Sequence, residues 1–337
     1  MEPSVADYER IAAQLIAALR GRRTQGALSR RAGYHSNIVS RWERSVCWPT
    51  AARFFEICEL LKVDVAQCYA RFFGRSPAWL AEHAPSSKEA VAAFLRDLRG
   101  KTPILELARA SGYNRYSISR WLQGTAEPKL PELLCLIEVS SRRLLDFIAT
   151  LVDPARMTST AASWALLESA RETAYGQPWS HAVLRALELD ADTSEDQASW
   201  IARKIGLPRD AVERALQALR KTKHIKQRKG RYVPVQVLKV DTRADPRRAI
   251  GLKAAWTKVA LERLERGEPG TFGYSLFSIS KPDLLKLQAL HLEYVRAMQS
   301  LIARSQPADC VGLYCVHLLD LEPGAHNALA TTKLSTP

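Results

Sequence analysis

The chain lacks most of the patterns that announce an enzyme or a membrane protein. No apolar run in its 337 residues approaches the roughly 18 that a membrane helix requires. The opening MEPSVADYER is acidic and has no secretory hydrophobic region, so the expected compartment is the cytoplasm, at the nucleoid. Six cysteines (Cys47, Cys58, Cys68, Cys135, Cys310, Cys315) form no CxxC pair and mostly sit in apolar periodic runs, which excludes a zinc or disulfide framework and reads as small buried hydrophobes. There is no phosphate-cradling glycine loop, no HExxH and no GxSxG. The seven histidines are scattered: His35 and His181 lie near helix starts, and His291, two residues before Glu293, lies off its partner's helical face. No catalytic residue, metal or cofactor is therefore expected, nor an enzyme.

Acidic residues are also in short supply. Asp and Glu number 35 against 49 Lys and Arg, a net charge of +14 that calls for an acidic partner. Residues 201–250 carry 15 of the cations against four acids. The first 150 residues are milder, with 22 against 15.

What is present is a repeat. A shift of 79 residues carries Trp42 onto Trp121 and superposes the surrounding segment without a gap. Between Leu19 and Pro49, eleven shifted pairs are identical, among them Leu28/Leu107, Gly33/Gly112, Tyr34/Tyr113, Ser40/Ser119, Arg41/Arg120 and Pro49/Pro128. Unrelated windows would share about two, so the chain writes one unit twice.

Each unit reads as two short helices around a tight turn. Thr24 is an N-cap candidate for a helix that carries Leu28 inward, and Gly33 ends it where positive φ is needed. Tyr34 and His35 make the turn. A second helix is expected from about Ser36, burying Val39 and Trp42 at i, i+3 spacing and leaving Ser36, Asn37, Ser40, Arg41 and Arg44 outward.

TQGALSRRAGYHSNIVSRWER, residues 24–44, resembles the repressor-type (Cro, phage-repressor, XRE) helix-turn-helix, and TPILELARASGYNRYSISRWLQG of the second copy resembles it too. In that family the second helix enters the major groove of DNA. The resemblance implies Ser36, Asn37 and Ser40 as base readers, with Gln25 and Arg41 on phosphate or base. In the second copy it implies Arg115, Tyr116, Ser117 and Ser119, with Asn114 as cap and Arg120 alongside. The copies also differ: Gln25 is matched by Ile104, Glu43 by Leu122 and Ser45 by Gly124. Copy one is the better reader on paper.

The rest of the chain divides by composition. Residues 1–73 form the first unit and 74–87, with Pro77, Pro85 and several serines, a linker short enough to make the units tethered neighbours. Residues 88–153 are the second unit. A helical lead and a winged helix follow over 154–240: three helices, then KHIKQRKGRYVPVQV, two β-prone arms about Lys229-Gly230. No acid falls between Leu219 and Tyr232, so Lys226, Arg228, Lys229 and Arg231 make a basic wing suited to phosphate. Asp210 and Glu213 beside Arg209 and Arg214 weaken the third helix as a base reader. Residues 241–321 read as a small α/β domain in which GTFGYSLFSIS and CVGLYCVHLLDL are strands around a long helix; 322–337 are expected to be a disordered tail.

From about Lys88 to Leu321 the chain is also similar to a bacterial family of transcription regulators, inferred from sequence, that joins a divergent helix-turn-helix, a winged helix and a C-terminal domain of unknown function. LARASGYNRYSISRWLQG, DAVERALQALRKTKHIKQRKGRY and S-x-F-S-I-S carry that similarity. The expected fold is therefore mainly α: two tandem helix-turn-helix bundles, a winged helix and a small α/β C-terminal domain. The expected function is sequence-specific binding of double-stranded DNA for transcription regulation. The alternative is an interaction scaffold whose degenerate helix-turn-helix units bind protein or RNA. Apolar strands and a long helix at the C-terminus suggest a homodimer through that domain; no small-molecule effector is legible.

Overall fold

The computed structural model describes residues 5–189, 195–235, 245–305 and 307–322. The expected tail lies, beyond Glu322, outside the described residues. The fold is mainly α, with one two-stranded sheet among the described residues. The chain divides into two compact units, the first essentially residues up to Ala165 and the second Leu166–Leu319.

In the first unit, α1 (Val5–Arg20), α2 (Gln25–Arg31), α3 (Ile38–Glu43), α4 (Ala51–Leu60) and α5 (Val65–Phe73) form one repeat. The other is α6 (Lys88–Arg99), α7 (Ile104–Ser111), α8 (Arg115–Gln123), α9 (Leu130–Ser141) and α10 (Leu144–Leu151). Local signals set the helix starts: Thr24 Oγ1 accepts from Ala27 N at 3.2 Å, and Asp64 and Ser87 cap α5 and α6 in the same way. Gly33 and Gly112 take positive φ, 78° and 73°, at matching turns. In each copy the turn tyrosine meets the helix tryptophan edge-on: Tyr34–Trp42 centroids are 5.7 Å apart and Tyr113–Trp121 5.6 Å.

The two copies share one core instead of standing as tethered neighbours. Phe55 and Phe72 of the first interleave with Phe94 and Phe147 of the second, with centroids 5.7 to 6.3 Å apart. All four rings are buried, and such pairs add about 0.5–1.5 kcal/mol each beyond the area they bury. The linker joins in: Trp79 packs on Tyr69 and donates from Nε1 to Asp97 Oδ2 at 3.1 Å. Helix α9 buries Leu133, Leu134, Cys135, Leu136 and Ile137 in succession, so it is apolar on more than one side, and α1 of the other repeat packs on it.

That packing is symmetric. Ala51 N donates to Pro128 O at 2.8 Å, and Leu130 N donates to Pro49 O at 3.0 Å. The 79-residue shift exchanges these two bonds, which flank an antiparallel bridge between Thr50 and its own counterpart Lys129. The helix contacts exchange likewise: α1 packs on α9 and α3, α6 on α4 and α8, and α5 meets its counterpart α10. Reciprocal exchange of this kind is the signature of a local two-fold axis, here between Thr50 and Lys129.

In the second unit, which begins within α11 (Ala161–Gly176), α12 (Ser180–Ala186), α13 (Gln197–Ile205) and α14 (Arg209–Lys221) lead into the hairpin β1 (Ile225–Arg228) and β2 (Arg231–Pro234). Val183, Ile201, Val212, Leu216, Leu219 and Ile225 form its core. Helices α15 (Pro246–Glu265), capped by Asp245, and α16 (Lys281–Arg304), capped by Ser280, follow. Trp256 of α15 meets Trp179 edge-on at 5.2 Å.

The C-terminal part departs from expectation. Neither GTFGYSLFSIS nor CVGLYCVHLLDL forms a strand among the described residues; both flank α16 without regular structure, so this part is helical and not α/β. The reason is that a strand needs a neighbour for its main-chain N–H and C=O groups, and alternation of side chains supplies none.

Candidate nucleic-acid interface

The first head is built from the turn outward. Helix α3 begins at Ile38, not near Ser36: Ser36 lies in the turn and Asn37 is the N-cap, its Oδ1 accepting from Ser40 N at 3.3 Å. In the second head Asn114 caps α8, accepting from Tyr116 N at 2.8 Å, and the helix starts at Arg115, the counterpart of Ser36. The difference follows from one residue. The position of Asn114 is held in copy one by His35, a poor cap, so capping passes two residues on to Asn37. Ser29, buried on α2, completes the arrangement by donating to Asn37 Oδ1 at 3.2 Å and accepting from Val39 N.

Gln25 and Glu43 do a job that spacing did not reveal. Glu43 accepts from Arg20 at 2.6 and 3.2 Å and from Gln25 Nε2 at 2.5 Å, tying α1, α2 and α3 together. The carboxylate in turn holds the Arg20 guanidinium pKa above its usual value. In copy two the counterparts of Gln25 and Glu43 are Ile104 and Leu122, so a polar brace has been exchanged as a pair for an apolar one.

Around that brace the polar surface of head one is exposed: Ser36, Asn37, Arg41 and Arg44 face outward and Ser40 is half-buried. Arg44 Nε is engaged by Ser40 O at 3.2 Å. Arg22, Arg23, Arg30 and Arg31 are exposed on the same two-helix element, a basic collar that a reading confined to the second helix missed. Its signal was the GRRT and SRR clusters. Among the described residues no ion pair engages these four or Arg41.

In head two Arg115, Tyr116 and Arg120 are exposed, Ser117 and Ser119 half-buried. The Arg115 guanidinium lies 4.7 Å over the Tyr116 ring and donates to its hydroxyl at 2.8 Å. That stacked pair, with Tyr116 64% exposed, is cationic and aromatic at once. The two heads thus present different groups from equivalent helices.

In the second unit the hairpin turns on Lys229 and Gly230, both at positive φ (48° and 79°), as a two-residue turn of this handedness requires. Arg228 faces Arg231 across the ladder, with Lys226 two residues back. Lys226, Arg228 and Lys229 are exposed and Arg231 half-buried. Like charges directly opposite repel, so this turn is held together against its own field. Gln197 pins it: Nε2 donates to Tyr232 O at 2.9 Å and Oε1 accepts from Tyr232 N at 2.8 Å, an amide standing in for a neighbouring strand. Nothing in the spacing pointed to Gln197. By contrast the arginines in the first half of α14 are paired with acids. Arg209 pairs with Glu213 at 2.8 Å and with Asp196 at 3.3 Å, and Arg214 with Asp210 at 2.6 Å.

Two histidines are turned inward in this unit, His224 buried and His181 half-buried. Burial, with Arg185 and His224 nearby, pulls the His181 pKa down to about 4, and burial lowers His224 as well. Cys135, in the first unit between Tyr8 and Tyr113, is pushed by burial up to about 11, which keeps it an unreactive thiol at neutral pH. No group of three or more His, Cys, Asp or Glu that could hold a metal comes together among the described residues. No helix among them is long and apolar enough to cross a membrane.

Residues 158–318, slightly less than half the chain, match the family model of a domain of unknown function, DUF4423. The match spans the helical lead, the three-helix and hairpin element and the segments around α16. No helix-turn-helix family model matches the chain. No curated protein and no solved structure matches it either.

Proposed function

We propose that the chain is a sequence-specific double-stranded DNA-binding regulator of transcription whose two heads read one duplex site together. The observation that carries this reading is the local two-fold pairing of the heads, each exposing a short polar and basic helix. A two-fold pair of readers suits a duplex whose strands are themselves related by two-fold axes. The groups presented fit base edges: Arg41 and Arg120 can take guanine O6 and N7 bidentately, and Ser36, Asn37 and Ser117 suit short donor–acceptor contacts. Gln25, its Nε2 already held by Glu43, acts through its remaining amide oxygen and by seating α3. Because Arg115 and Tyr116 in one head replace Ser36 and Asn37 in the other, the two half-sites differ in sequence.

Affinity divides from specificity. The collar of Arg22, Arg23, Arg30 and Arg31 and the wing of Lys226, Arg228, Lys229 and Arg231 contact phosphates, which carry no sequence information. Joining two heads in one folded unit makes the second contact intramolecular, so two modest readers hold one site tightly.

Salt tests the reading. With six or more phosphate contacts, log K for a labelled duplex should fall with log[salt] at a slope of about −5 or steeper, and a single-stranded RNA of the same sequence should compete poorly. A flat salt response, or RNA bound as tightly as duplex, would favour the scaffold function instead.

A further inference from the structure

We propose that residues 272–279 and 311–319 are the intermolecular strands of a homodimer, each pairing its main chain with the same unit of a second copy. The first segment, FGYSLFSI, forms neither helix nor strand, and every one of its residues is exposed. Tyr274 is 93% exposed and Leu276 77%; strand geometry would put both on one side with Phe272, and Phe277 and Ile279 on the other. Among the described residues no main-chain N–H or C=O in either segment is hydrogen-bonded to another main-chain group. Chain that alternates like a strand, is apolar and exposed, and has no main-chain partner suits pairing with a strand from outside. The second segment is half-laid already: Tyr314 leans on His291 and Tyr294 of α16, while Leu313, Val316 and Leu319 stay exposed.

Charge selects the occupant. Two copies of a chain at +14 repel each other almost everywhere. Residues 269–280 and 310–319 contain no Asp, Glu, Lys or Arg at all, so here like meets like without that penalty. An acidic partner would gain nothing by binding a neutral surface when the basic wing is available. A second copy also brings both segments, about equal in length, so a two-fold assembly gives each of the four strands a partner at once. This assembly stands whether or not the heads read DNA.

The test is the mass of the full chain by light scattering at micromolar concentration, together with amide hydrogen exchange. The proposal expects a dimer, with residues 272–279 protected from exchange at concentrations where the dimer persists and losing protection on dilution. Leu276→Pro removes a main-chain donor that has no main-chain partner among the described residues. It should yield a monomer with an unchanged far-ultraviolet helix signal. A monomeric wild-type chain, fast exchange over 272–279 in a dimer, or a dimer that survives Leu276→Pro would each overturn the proposal.

Discussion

Replacing Glu43 by leucine tests how the first head is held, and the second repeat supplies the control. Glu43 receives three hydrogen bonds from Arg20 and Gln25, and the side chains of the ion pair are 19% (Arg20) and 10% (Glu43) exposed. Removing one partner of a buried pair costs about 3–5 kcal/mol, because a charge is left without its counterpart. Arg20 keeps some exposure and its bonds to Gly21 O and Arg23 O, so Glu43→Leu should cost less, about 2–3 kcal/mol. For a unit of this size that is roughly 5–10 °C in Tm. Adding Gln25→Ile reproduces the residues of copy two, Ile104 and Leu122, and removes the stranded amide. The double variant should regain more than half the loss, an interaction of about 1–2 kcal/mol in the mutant cycle. Calorimetry of wild type, both single variants and the double variant reads this directly. A single variant within 1 °C of wild type, or a double variant no better than Glu43→Leu, would refute the brace.

The remaining expectations concern pH, the wing and the reading helix. An unfolded histidine takes its proton near pH 6.5 while folded His181 resists to about 4, so the second unit has this contribution in full above pH 6.5 and loses it as pH falls toward 4. The loss is about 1.4 kcal/mol by pH 5.5 from His181 alone; if the melting of this unit did not drop between pH 7.5 and 5.5, or if His181→Gln left the drop unchanged, the assignment would fail. Neutralising Lys226, Arg228 and Lys229 together should weaken all duplexes alike and flatten the salt slope by about 3; a change in sequence preference with non-specific affinity intact would contradict that division of labour. Arg41→Ala should weaken a specific site by roughly 1–3 kcal/mol while random duplexes are bound nearly as before, measured by fluorescence anisotropy.

What could be read from the chain was local. Thr24, Asn114 and Pro208 stand at helix starts, the Tyr34–Trp42 and Tyr113–Trp121 contacts follow from one duplicated spacing, and Lys229-Gly230 turns the hairpin. What could not be read depended on partners distant in sequence. The symmetric bonds about Thr50 and Lys129 belong to no motif within either repeat, although the 79-residue offset was their trace. The spacing marked Asn37 as a reader but not as the cap of α3, a role that rests on its Oδ1 accepting from Ser40 N and Ser29 Oγ and leaves its amide NH2 group outward. Alternation in 272–279 and 311–319 described side chains correctly as strand-like, but a strand is defined by its neighbour, and that neighbour is absent from this chain's described residues.

Selection of bound duplexes from a random pool, carried out with the wild type and then with Arg115→Ala/Tyr116→Ala, measures the pairing of the heads most directly. The account expects a single enriched element made of two unlike half-sites at fixed spacing, with the double variant losing information in one half only. A pool that shows no enriched sequence, or a variant that degrades both halves equally, would contradict it.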